Sequence, residues 1–231
     1  MAEWPRSLSH ALADRPRLGQ EARVKGLEKT STEGYLGSMN AKEVERGFLA
    51  KLSEYLLSLP FDLKVLQEAA SDPDLDRVAR DLAAGAIMYT LLPQDGDGPL
   101  RYLDDLLILR AALAAVARKG GDEFGPFRGR FSEIYDRLDG DVALFEQQLG
   151  PLWEWLAGKV ETFARLTFKG KRAAQYTDSE DNLALLYEEG LEFETNYNVT
   201  EEQVRNKLRR VEQVIELLAK RRAEEVKKLG V

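Results

Sequence analysis

The chain has 231 residues, 44% of them hydrophobic and 32% charged, with a formal net charge of −7, which is enough to bury a real core in one large or two small domains. It has no cysteine, so thiol nucleophiles, disulfides and Cys-ligated metals are excluded, and a reducing, cytoplasmic home fits. Its single histidine, His10, leaves no base for Ser-His-Asp or Cys-His chemistry and too few ligands for a zinc site, and the net acidity weighs against nucleic acid as partner.

Residues 1–39 mix Pro, Gly, Ser, Thr and charge. They read as a flexible N-terminal segment, with a short helix over Ser7 to Asp14 and a loop over Gly26 to Gly37. The opening MAEWPRSLSH lacks the apolar core of a signal peptide. Asn40 followed by Glu43 is a helix-start signature, and Val44, Phe48, Leu49, Leu52, Tyr55, Leu56 and Leu59 then keep helical spacing. Pro60 is expected to end that helix, with a short one carrying Leu63, Leu66 and Ala69 after it. Asp72-Pro73 reads as the next start, for a helix whose apolar face runs from Leu75 to Ile87. Leu82 to Leu92 is the most apolar stretch and is too short to span a bilayer. Pro93 closes this helix, and the polar loop from Gln94 to Pro99 leads to a helix carrying Leu103, Leu106, Leu107, Ile108 and Leu113, ended by Gly120-Gly121.

Beyond that break, Phe131, Ile134, Tyr135 and Leu138 mark one helix, and Val142, Phe145 and Leu149 another, closed by Gly150-Pro151. Leu152, Trp153, Leu156, Val160, Phe163 and Leu166 mark the next segment. The basic stretch Lys169-Gly170-Lys171-Arg172 reads as a loop, and Thr177 with Glu180 as a capping box for a helix through Leu186 and Tyr187. Leu191, Phe193, Thr195, Tyr197 and Val199 alternate like a strand, but one strand has no partner, so an extended linker or a continued helix is expected. Thr200 and Gln203 cap a long, charged C-terminal helix. The fold class is therefore all-α, a multi-helix bundle with a long charged C-terminal helix. Its segments are 1–39, 40–120, 121–199 and 200–231, where 121–199 is a second subdomain or a continuation of the same core.

Two stretches carry candidate function. In the last helix, Val204, Leu208, Val211, Ile215 and Leu218 are spaced 4, 3, 4, 3, a heptad seam that breaks at Arg222. Such a seam packs on its own core, pairs with a partner helix or second copy as a coiled coil, or rests its basic residues on anionic lipid. Trp153 and Trp155, two apart, fall on different faces of their helix. One belongs to the core, and Trp155 joins the seam as a candidate anchor for a partner. The second stretch is acidic: Asp95, Asp97, Asp104 and Asp105 form an oxygen-rich cluster suited to Mg or Ca, or to capping the helix that follows. No phosphate-binding loop exists, because Gly158-Lys159 and Gly170-Lys171 are followed by Val160 and Arg172.

The acidic stretch also carries a family resemblance. Asp72-Pro73, then Ala83 to Tyr89, then Pro93-Gln94-Asp95, then Tyr102-Leu103-Asp104-Asp105 resemble the YkvA-like bacterial domain of unknown function over about residues 44–118. Leu92 stands where that family has serine, Gly96-Asp97-Gly98-Pro99 replaces its longer Ile-Pro-Asp stretch, and Arg101 replaces a glycine. The resemblance implies a small helical domain built round an acidic turn and supplies no activity. Three functions follow as expectations. The first is a non-enzymatic interaction or regulatory protein acting through protein–protein contacts or self-association. The second is a hard-metal-dependent enzyme or sensor at the acidic turn. The third is a peripheral membrane protein using Lys169, Lys171, Arg172 and the final helix.

Overall fold

A computed structural model describes residues 41–93 and 98–229. The readings of the N-terminal segment, of Asn40 as a cap and of Asp95 and Asp97 as ligands fall outside these residues. The described residues form ten α-helices and one small hairpin, so the chain is all-α. None of these helices is long and apolar enough to cross a membrane.

The centre is α3 (Leu103–Lys119), in which every residue from Leu103 to Val116 is buried. A helix apolar on all sides needs neighbours all round. α1 (Ala41–Ser71), α2 (Arg77–Thr90), α5 (Ser132–Leu149) and α6 (Pro151–Val160) supply them. Residues from both sides of Gly120-Gly121 join one apolar core, from Phe48 to Leu218, so the second half continues the first. A 3-10 turn, Pro99–Tyr102, leads into α3, and the short α4 (Phe124–Arg130) precedes α5.

α1 does not end at Pro60; the proline lies inside a 31-residue helix. Proline has no N–H to give the carbonyl four residues back, which is that of Leu56. That carbonyl instead accepts a hydrogen bond from the Tyr197 hydroxyl. The apolar face also runs on through Leu59, Leu63 and Leu66, all buried, so burial continues across the break in the ladder.

Other boundaries move for local reasons. Asp72 caps a turn, accepting from Asp74 N at 3.0 Å, and α2 starts only after Asp76. The two helices expected over 131–149 are one, α5. Lys169 and Gly170 both have positive φ, and the expected basic loop is the two-residue turn of a hairpin pairing β1 (Thr167–Phe168) with β2 (Lys171–Arg172). α7 (Ala173–Thr177) follows. α8 (Glu180–Asn196) is capped by Ser179 rather than Thr177, and it absorbs Leu191, Phe193 and Thr195 of the strand-like alternation. The Thr200–Gln203 capping box is present in both directions, at 2.9 and 3.3 Å. The single long final helix is two: α9 (Glu201–Lys207) and α10 (Val211–Leu229), separated by an extended Leu208. That break turns the chain so that α9 packs on α1 while α10 crosses α6.

Candidate functional site: the acidic turn beneath the C-terminal helix

The structure brings together the two stretches that the sequence marks. Asp104 and Asp105 stand in the first turn of α3, where negative charge suits the helix dipole, and both are buried. Arg221, on α10, donates through Nη1 to Asp104 Oδ1. Its Nη2 also donates to the carbonyls of Leu100 and Arg101, at 3.1 and 3.2 Å. One planar guanidinium thus binds a carboxylate and two carbonyls of the 3-10 turn together, a geometry that a lysine cannot copy.

A second cation completes the arrangement. Lys159, on α6, donates to the Tyr89 hydroxyl at 3.2 Å and pairs with Glu225 of α10 at 2.8 Å. Tyr89 in turn donates to Asp104 Oδ2 at 3.2 Å and stacks on Phe163. Lys159 also lies 4.8 Å over the ring of Trp155, so Trp155 is half-buried under a cation, while Trp153 is in the core. Burial pushes the Asp105 carboxyl well above the usual carboxylate range, although the Lys159 and Arg101 charges pull it down. Burial likewise raises the Tyr89 phenol, helped by the Asp105 and Glu225 charges. Among the described residues, no group of three or more His, Cys, Asp or Glu side chains converges as metal ligands do.

The seam residues are not free. Val204, Leu208, Val211 and Leu218 are buried in this chain's own core, together with Val214, and Ile215 is 37% exposed. In this conformation the heptad pattern describes an intramolecular contact, because the extended Leu208 keeps α9 and α10 on the bundle. The basic hairpin is engaged as well: Lys169 pairs with Glu189, and Lys171 donates to Asn182 at 2.6 Å. Beside the acidic turn lies a cleft of about 450 Å³ between Leu92, Arg101 and Tyr102 on one side and Glu189 and Phe193 of α8 on the other.

A second polar cluster lies deeper. Asp62 of α1 and Arg110 of α3 form a fully buried ion pair at 2.8 Å. The Arg110 guanidinium lies 3.5 Å from the centre of the Tyr55 ring, whose hydroxyl donates to Asp141. Asp62 Oδ2, Arg110 Nε and Nη1 and the Tyr135 hydroxyl have no hydrogen-bond partner among the described residues. Burial pushes Asp62 up to about 6, with Arg110 opposing. Sequence reasoning missed this pair, although a signal exists: Arg110 interrupts the apolar run from Leu106 to Val116, and Asp62 falls within the apolar face of α1. It also missed Tyr89, Lys159 and Arg221, whose partners are remote in sequence.

Compared with protein-family models, with curated proteins and with solved structures, the chain matches none of them.

Proposed function

We propose that this chain is a non-enzymatic interaction protein of the bacterial cytoplasm, built on a YkvA-like helical domain and regulated by the docking of its own C-terminal helix. The observation that supports this reading is the Arg221–Asp104 contact, which lays α10 over the acidic turn. Asp104 is met by Arg221 and Lys159 by Glu225, pairs that join α10 to the bundle, an arrangement suited to holding a helix. α10 is the natural moving part. Beyond Leu218 its side chains are mostly exposed, and Arg221 and Glu225 are what tie that end down. Release would uncover Val211, Val214 and Leu218, an apolar stripe on a charged helix, the kind of surface that pairs with a partner helix or a second copy.

Light scattering on the full chain and on an Arg221→Glu variant tests this. The wild type is expected as a monomer. The variant, with like charges at Asp104, is expected to associate with rising concentration, and a further Leu218→Ser change is expected to abolish that association. A variant that remains monomeric with α10 in place contradicts the reading.

A second reading keeps Asp104 and Asp105 as part of a hard-cation site for Mg or Ca. It is favoured by the burial of two adjacent carboxyls, one of them held well above its usual range, which a divalent ion would bring back down.

A further inference from the structure

We propose that the outer face formed by α1 and α8 is the docking surface for a basic amphipathic helix of a partner protein. This deepens the interaction reading but does not depend on release of α10, since none of its residues lies on α9 or α10.

The two helices run antiparallel, fixed at two points. Gln67 Nε2 donates to the Tyr187 carbonyl at 3.2 Å, and the Tyr197 hydroxyl donates to the Leu56 carbonyl. Between those points Gly190 faces Gln67 so closely that a Cβ there would lie 2.1 Å from its Nε2. α1 and α8 pack directly on each other, so their outward flanks adjoin. They carry four large exposed side chains: Leu57 (40%) and Phe61 (44%), four apart on α1, and Tyr187 (38%) and Leu191 (43%), four apart on α8. Residues four apart share a helical face. Four large apolar side chains grouped on two packed helices form an exposed apolar patch with a polar rim, the kind of surface that marks a protein interaction site.

The charge around them selects the occupant. α8 carries Glu180, Asp181, Glu188, Glu189, Glu192 and Glu194 and no lysine or arginine. Glu188, Glu192 and Glu194 are exposed, and the outer face of α1 offers Lys64 as its exposed cation between Phe61 and Ser71. Two copies of this face would set acid against acid, which disfavours self-pairing. A helix with apolar residues three and four apart, flanked by Lys or Arg, meets both the apolar anchors and the acidic rim.

Two fluorescent helical peptides of about 18 residues, five turns, serve as probes. Both place leucine at helical spacing; one fills the polar positions with lysine, the other with glutamate. Anisotropy titrations use the full chain at physiological ionic strength. The lysine peptide is expected to bind at least about tenfold more tightly than the glutamate peptide. Phe61→Ser with Leu191→Ser should weaken it about tenfold or more without lowering the melting temperature, because both side chains are exposed. Glu188→Gln with Glu194→Gln should weaken it too, whereas Glu201→Gln with Glu202→Gln on α9 should not. Equal affinity for the two peptides, or binding unchanged by the serine variant, overturns the proposal. Equal loss from the two glutamine pairs also overturns it, since that is nonspecific charge attraction. So does a dimeric mass that Phe61→Ser reduces to a monomer, which would give the face to a second copy. Hydrogen exchange of α10 in the same variants is expected to be unchanged, so failure here is distinguishable from failure of the latch.

Discussion

Arg221 and Asp104 lie 117 positions apart and are joined by a charge-assisted hydrogen bond that ties the last helix to the first turn of the central one. Both side chains are largely shielded from solvent. Hydrogen bonds to charged groups in such settings contribute about 1.5–3 kcal/mol, and Arg221 makes further bonds to two carbonyls. Arg221→Ala is therefore expected to lower stability in urea unfolding by about 1–3 kcal/mol. Arg221→Lys should recover only part of that, because an ammonium cannot span the carboxylate and both carbonyls. An alanine variant as stable as the wild type would show that the contact holds nothing.

Tyr197 stands in for the hydrogen bond that Pro60 cannot make. Removing its hydroxyl leaves the Leu56 carbonyl without a donor in a largely buried setting, at a cost of about 1–3 kcal/mol. In a Pro60→Ala background the helix supplies its own N–H to that carbonyl, so Tyr197→Phe should there cost clearly less. A double-mutant cycle by urea unfolding measures the coupling, and strict additivity would separate the two residues.

The Asp62–Arg110 pair predicts a pH dependence. The folded-state pKa of Asp62, about 6, lies above that of an unfolded aspartate, about 3.9. The folded state therefore holds the proton more tightly. The stability this group contributes is complete below about pH 4 and is lost as pH rises through 6. The charges bearing on it are Arg110, Arg137 and Asp141. Arg110→Met leaves the carboxylate buried without its cation, so at pH 7 it should cost about 3–5 kcal/mol, with much of the loss recovered at pH 4. Pairing it with Asp62→Leu should restore near wild-type stability and flatten the profile between pH 4 and 6. A double variant with the same slope as the wild type would assign that slope elsewhere.

Divalent cations separate the two readings of the acidic turn. With Arg221 seated on Asp104, millimolar Mg or Ca is expected to leave the melting temperature unchanged. A rise that disappears in Asp104→Asn with Asp105→Asn would favour the cation site instead.

Much of the architecture is legible locally, because three- and four-residue apolar spacing and capping boxes are local signals. Of the seam Val204, Leu208, Val211, Ile215 and Leu218, all but Ile215 are buried, although on two helices rather than one and with Val214 buried in its stead, and the Thr200–Gln203 box forms as spelled. What fails depends on residues far along the chain. Pro60 is a helix breaker by any local rule, and its rescue comes from a tyrosine 141 positions after the carbonyl concerned. The alternation from Leu191 to Val199 imitates a strand, but the continued helix expected as one alternative forms as far as Asn196, and Phe193 and Tyr197 both pack on Tyr102. Asp104 and Asp105 look like a free acidic turn because neither Lys159 nor Arg221 is near them in sequence.

The most direct test of the central claim is hydrogen–deuterium exchange across the full chain, in the wild type and in Arg221→Glu. A docked, releasable α10 predicts that its amides exchange well before those of α1, α2 and α3. It also predicts that the substitution accelerates exchange in α10 and the first turn of α3 while leaving the rest unchanged. If α10 is protected as strongly as α3, and the substitution accelerates every helix together, α10 is an inseparable part of the core and the latch does not exist.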